Sequence, residues 1–149
     1  MEQEHSVRFH QFLDKATRFV RNSAAEDVES QGFRHYHIPF LISIARSPGI
    51  SQKGLCERVP LDKSRVSIVV RELISLGLAV NSSTGKVWAL NLTPKGMGAY
   101  KTAMDITTRM DDSMFSVLTE GETKTFLALI SKISQRIDEL SGGDTFKDT

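Results

Sequence analysis

Cys56 is the only cysteine in the sequence. A lone thiol cannot close an internal disulfide framework or build a cysteine-rich zinc site, which agrees with a reducing compartment. Long apolar runs are also missing: none approaches the roughly 18 residues that span a bilayer. The opening Met1-Glu2-Gln3-Glu4-His5 is acidic where a secretory leader is basic, so a cytoplasmic location is expected and no membrane partner. None of the four histidines, His5, His10, His35 and His37, stands four residues from another, so no helical metal pair is formed and no metal site is expected. There is no glycine loop of the phosphate-cradling kind and no carboxylate pair, and Cys56 has no identifiable activating partner. Neither an enzyme nor a cofactor is expected.

Charge of one sign is lacking too, since the net charge is only +1, but that average conceals an asymmetry. Residues 1–50 are neutral, with six Lys/Arg and six Asp/Glu. Residues 51–101 carry eight (Lys53, Arg58, Lys63, Arg65, Arg71, Lys86, Lys95, Lys101) against three (Glu57, Asp62, Glu72), net +5, and residues 102–149 carry five against nine, net −4. A polyanion, if one is bound, is bound by the middle of the chain.

With 149 residues the chain has the length of one domain, enough to bury roughly two-thirds of its unfolded surface. At 40% hydrophobic and 25% charged residues it lies well away from disordered compositions, so most of it should fold.

Phe9, Phe12, Leu13, Ala16, Phe19 and Val20 repeat with the spacing of one helix face, which predicts a helix from about 5 to 23. Residues 25–32 have no period and end in Gly32, reading as a linker or frayed helix end. A second helix should start near His37 or Ile38, where Pro39 is tolerated, and run through Leu41 and Ile44 to the stop at Ser47-Pro48-Gly49. Ser51 then caps a short helix to about Arg58, Pro60 breaks it, and Asp62 caps a longer one ending at Gly77, whose freedom at positive φ suits a helix C-terminus. A short and a longer helix separated by so brief a turn have helix-turn-helix spacing. In the longer helix Val66, Val69, Val70 and Leu73 form a core stripe, leaving Ser64, Arg65, Ser67, Ile68 and Arg71 largely around the other side.

From Leu78 the period shifts toward two, with a strand at Leu78-Ala79-Val80, a polar turn at Asn81 to Gly85 and a strand from Lys86 to Leu92, together a hairpin. Thr93-Pro94 opens a long helix to about Val117 that carries Met97, Met104, Met110 and Met114. Thr119 to Glu122 is a capping-box pattern, Phe126, Leu129, Ile130, Ile133, Ile137 and Leu140 stripe a last helix, and residues 141–149 should be a loose tail. The fold class is mainly α with a small β-hairpin wing.

The motifs Pro48-Gly49-Ile50-Ser51-Gln52, Asp62-Lys63-Ser64, Leu73 followed by Gly77-Leu78, and Leu92-Thr93-Pro94-Lys95-Gly96, in this order, resemble the multiple-antibiotic-resistance regulator (MarR) family of winged-helix transcriptional regulators. The resemblance covers residues 47–98 by motif and 5–140 by element order. It implies one winged-helix domain over 1–149, with a DNA-binding lobe at about 36–93. It also implies a dimerisation region formed by the first helix, about 5–23, and the last two, about 94–140. That would account for apolar faces at both ends that look generous for a monomer. It further implies a homodimeric, sequence-specific regulator, a repressor released from a pseudo-palindromic operator by a small effector. The partners expected are double-stranded DNA, a second copy of the chain and a small aromatic effector.

In that arrangement the helix from Lys63 enters the major groove. Arg65 and Arg71 could present guanidinium forks to guanine or phosphate, Ser64 and Ser67 could donate to either, and Ile68 could meet a thymine methyl. Gln52, Lys53, Lys63 and Lys86 complete the expected DNA contacts. Tyr36, His37 and Phe40 could border an effector pocket, although plain packing and surface is the simpler reading of them. Three features depart from the family pattern. Ile68 and Glu72 stand at positions that are often basic, and the wing is about three residues short, with Thr84-Gly85-Lys86 where an Asp-x-Arg motif is usual. Lys86 lacks an arginine's planar fork. These departures keep a second class open, a winged-helix protein-interaction module that has lost DNA readout. Cys56 occupies a position where the family keeps a small core residue, which favours packing over redox sensing.

Overall fold

In the computed structural model, which describes residues 1–29 and 31–141, the helical periods become six α-helices and the two-residue period a two-stranded sheet. The chain runs through α1 (Gln3–Glu29), a 3-10 turn (His35–His37), α2 (Ile38–Arg46), α3 (Gln52–Arg58), α4 (Lys63–Ser75), β1 (Ala79–Asn81), β2 (Leu90–Leu92), α5 (Pro94–Phe115) and α6 (Glu120–Leu140). The order is the expected one, and the architecture is a mainly helical winged helix-turn-helix.

Helix starts follow local chemistry. Ser51 Oγ accepts the Gly54 amide at 3.0 Å, Asp62 Oδ1 the Arg65 amide at 2.9 Å, and Thr93 Oγ1 the Gly96 amide at 3.0 Å. At α6 the box is reciprocal, with the Glu122 amide on Thr119 Oγ1 at 3.1 Å and the Thr119 amide on Glu122 Oε1 at 3.0 Å. Each cap satisfies an otherwise orphaned amide and stabilises its helix by about 1 kcal/mol. Gly77, at φ +72°, follows α4 as a left-handed terminator.

The core joins Phe40, Leu41 and Ile44 of α2, Leu55 of α3, Val66, Val70 and Leu73 of α4, Leu78 and Leu90 beside and within the sheet, and Ala99, Ala103 and Ile106 of α5. Burying each large member contributes roughly 1.5–3 kcal/mol. The sheet pairs antiparallel, Ala79 with Leu92 and Asn81 with Leu90, and Ile50 adds an antiparallel bridge to Leu90. The Pro48-Gly49-Ile50-Ser51 segment thereby does two things: Gly49 and Ile50 tie α3's entrance to β2, and Ser51 starts the helix.

Two boundaries differ from expectation. α1 continues to Glu29 across residues read as a linker or frayed helix end, because Ala24 and Val28, four apart, extend the apolar stripe and are buried at the end of the helix. The second strand begins at Leu90 rather than Lys86. Asn81 Oδ1 accepts the amides of Ser83 and Ala89, each at 3.1 Å, so a side chain takes a bond that a longer ladder would use. The expected linker's Ser30, and the tail beyond Ser141, lie outside the described residues.

Candidate nucleic-acid interface

α4 is built to show one side. Val66, Val70 and Leu73 have no exposed surface and Val69 little, which fixes the helix's rotation and turns Ser64, Arg65, Ile68 and Arg71 outward. Ile68, a large apolar side chain, is 55% exposed. Ser67 is half-buried, toward the edge of that face. Lys63, in the first turn of α4, and Lys53, on α3, are exposed, Gln52 is half-buried at the start of α3, and Lys86 is exposed in the bend between the strands. Val87 beside it is 70% exposed. This brings cations, hydroxyls and an apolar contact onto elements that follow one another in the chain, the chemistry that phosphate and base edges require.

At the end of the outward face lies a polar link that sequence reading missed. Glu72 Oε2 is 2.9 Å from Tyr36 Oη and 2.9 Å from His37 Nε2. His37 is buried, and its Nδ1 accepts the Arg34 amide at 2.9 Å. With Nδ1 accepting, the ring proton resides on Nε2 and is donated to the carboxylate. Burial holds the His37 ring below its usual titration range, against the opposing pull of Glu72. Glu72 is itself lowered, first by the hydrogen bond from His37 and also by that from Tyr36. The contact is therefore a charge-assisted hydrogen bond from a neutral imidazole, not an ion pair. Sequence offered one signal for it: Glu72 is the one acidic residue on an otherwise basic helix.

Of the three residues expected beside an effector pocket, only His37 lines the neighbouring cleft. That cleft, about 360 Å³, is bounded by Gly32, Phe33, Arg34, His37 and Leu76. Tyr36 is 38% exposed and directs its hydroxyl to Glu72, while Phe40 lies in the core with 0% exposure and has no surface left to line a pocket. Cys56 is half-buried and packs against the core. Of the long-helix methionines, Met110 is buried and Met97 exposed. No group of three His, Cys, Asp or Glu side chains is placed to hold a metal ion among the described residues.

The two ends of the chain expose what a monomer would normally bury. On α1, Val7, Phe9, Phe12, Leu13, Phe19 and Val20 are all exposed. α6 has no buried residue, and its Leu129, Ile130, Ile133, Ile137 and Leu140 face outward along one stripe. No helix among the described residues is long and apolar enough to cross a membrane.

No family model matches the chain. It is 26% identical over 138 residues to the HTH-type transcriptional regulator BilQ of Clostridium symbiosum, covering 91% of this chain and 93% of that protein. It is 27% identical over 99 residues to a candidate transcriptional regulatory protein for the hcr operon of Thauera aromatica, covering 64% of this chain and only 60% of that relative's length. Among solved structures it is similar to a MarR transcriptional regulator from Methanosarcina mazei, with a TM-score of 0.84 at 16% identity over 94% of each chain. A candidate MarR family regulator from Listeria monocytogenes, solved with a 26-mer DNA, gives a TM-score of 0.80 at 17% identity, covering 87% of this chain and 88% of that one. The Mycobacterium tuberculosis MarR family protein Rv2887, solved with salicylic acid, gives 0.67 at 19% identity, covering 82% and 93%. The chain resembles the MarR family, and its fold is the winged helix-turn-helix of those structures.

Proposed function

We propose that this chain, folded as MarR regulators are, is a cytoplasmic, homodimeric transcriptional regulator that reads double-stranded DNA with α4. In this reading it represses from a pseudo-palindromic operator and is released by a small aromatic effector. One observation carries the DNA reading: the core stripe of α4 turns Ser64, Arg65, Ile68 and Arg71 outward together on the most basic third of the chain. In the major groove, the arginine forks meet guanine edges or phosphate and Ile68 meets a thymine methyl, while Lys53, Lys63 and Lys86 neutralise phosphates on either side. The exposed stripes of α1 and α6 supply the dimer interface, and two-fold pairing places two reading helices on half-sites about 10 bp apart. The similar structure solved with a 26-mer DNA supports a DNA partner. The relative solved with salicylic acid supports an aromatic effector, for which the cleft beside His37 is the candidate seat. An effector acts by binding one separation of the reading helices better than the other.

The test is retention of fragments selected from the source genome, measured against salt for the parent and for Arg65→Ala with Arg71→Ala. Parent affinity should fall steeply with salt as counterions are released, and the double variant should lose affinity by about tenfold or more per lost bidentate contact. A flat salt dependence, or no binding to any fragment, would overturn the reading. The protein-interaction alternative rests on exposed Ile68; in its favour would count a captured protein partner unaffected by the two arginine substitutions, with no DNA bound by the parent.

A further inference from the structure

Glu72 is the one acidic residue of α4, and a carboxylate on a helix approaching phosphate should oppose binding. Arg65, Ile68 and Glu72 follow the i, i+3, i+7 spacing of one helical stripe, so Glu72 ends the same stripe that faces outward. One oxygen of its carboxylate is nevertheless occupied: Tyr36 Oη–H and His37 Nε2–H, 36 and 35 residues away in sequence, both donate to Oε2 at 2.9 Å. The second donor exists because the Arg34 amide holds Nδ1 as an acceptor, and His37 is 1% exposed, so its ring cannot turn away into solvent. The chief packing partners of α4 are α3 and β1, whereas the His35–His37 turn packs on α1 and α2. Glu72 therefore joins α4 to a separate part of the domain.

We propose that Glu72 is a positioning residue: by gathering the Tyr36 hydroxyl and the neutral His37 ring on one carboxylate oxygen, it fixes the angle at which α4 presents Arg65, Ile68 and Arg71. The role rests on the reading of α4 as the DNA-contacting helix. The charge of the carboxylate is incidental to it, since the same oxygen geometry is available to an uncharged amide. A contribution through charge alone would have the opposite sign, because removing a negative group near phosphate strengthens binding.

The experiment compares Glu72→Ala and Glu72→Gln in the full chain. One amide oxygen can accept both donors, so Glu72→Gln should bind a selected fragment within about threefold of the parent, while Glu72→Ala should lose about tenfold. Two further readouts need no DNA. A slowly exchanging His37 Nε2–H resonance should be present in the parent and Glu72→Gln and lost in Glu72→Ala, and amide exchange over residues 68–74 should speed up only in Glu72→Ala. Equal or tighter DNA binding by both variants overturns the proposal, and so does equal weakening of both. If the parent binds no DNA, the proposed function fails on its own, and the two exchange measurements still decide: an unchanged ring proton and unchanged α4 exchange in Glu72→Ala overturn the clamp.

Discussion

Two alanines placed two residues apart in α5 should have opposite effects. At Gly96 a Cβ would lie 1.9 Å from the Leu78 carbonyl oxygen, 2.8 Å from the Leu78 carbonyl carbon and 3.2 Å from Leu92 Cβ. The first of these is 1.1 Å short of the 3.0 Å that real Cβ atoms respect, and the obstacle is backbone, so no rotamer change relieves it. That carbonyl also accepts the Thr93 amide at 3.1 Å, and Thr93 caps α5, so moving α5 away from Leu78 strains the cap as well. Overpacking of this kind costs typically 1–3 kcal/mol, with the upper end expected where backbone must move. Alanine's helix propensity offsets about 1 kcal/mol. The net loss for Gly96→Ala is about 2 kcal/mol, or roughly 6 °C in Tm for a chain of this size. At Gly98 a Cβ meets nothing within 4 Å and the position is exposed, so the propensity gain stands alone and Gly98→Ala should stabilise by about 0.5–1 kcal/mol. Calorimetric melts at one fixed protein concentration keep any association constant between variants. Finding Gly96→Ala as stable as Gly98→Ala would refute the close approach of α5 to the segment entering β1.

Stability should vary with pH through the Tyr36–His37–Glu72 link. Burial lowers His37 from 6.5, so the unfolded chain takes up that proton first and stability falls as pH drops below about 6.5. Glu72, lowered from 4.5 chiefly by the His37 hydrogen bond, adds a further loss as pH falls below about 4.5. Tyr36, raised from 10.0 by burial and then by Glu72, loses its contribution as pH rises beyond about 10. Urea midpoints at pH 7.5, 6.5 and 5.5 should decline in the parent more than in His37→Gln; parallel declines would remove the link as the source. Ile133→Asp, at a side chain 54% exposed on α6, should leave the unfolding of a protomer nearly unchanged yet raise the dimer Kd by about thirtyfold or more. Sedimentation that shows the same association state in parent and variant would take α6 out of the interface.

The parts of the fold that were legible in sequence are those decided within a few residues. Ser51, Asp62, Thr93 and Thr119 could be read as caps because a hydroxyl or carboxylate competes for an amide two or three positions ahead, whatever the rest of the chain does. The stripe of Val66, Val69, Val70 and Leu73 was legible for a similar reason, since helical spacing alone puts the four on one side. α1 beyond residue 23 was not, because whether Ala24 and Val28 continue a stripe depends on burial against elements far along the chain. The short β2 was missed because Asn81, read as a turn residue, uses its side-chain oxygen inside the hairpin and draws off the Ala89 amide. Phe40 illustrates the limit for sites: its neighbours Tyr36 and His37 do reach the surface link, but the ring itself turns into the core.

Glu72 and Ile68 looked alike in sequence, two residues foreign to a DNA-reading helix, and the structure separates them. A carboxylate's effect on a nearby polyanion depends on where the charge sits and on which groups it is hydrogen-bonded to. Glu72 faces two donors of its own protein, and its low proton affinity reflects those donors rather than solvent. Ile68 has no such account: at 55% exposure, with the buried stripe fixing the helix's rotation, more than half of its apolar surface faces outward. An apolar side chain held outward on a basic helix gains from contact with another apolar surface, and in a major groove the C5-methyl of thymine is the one that bases offer. The departures from the family pattern thus divide by physics: Glu72 sets how α4 is held, and Ile68 bears on what α4 would meet.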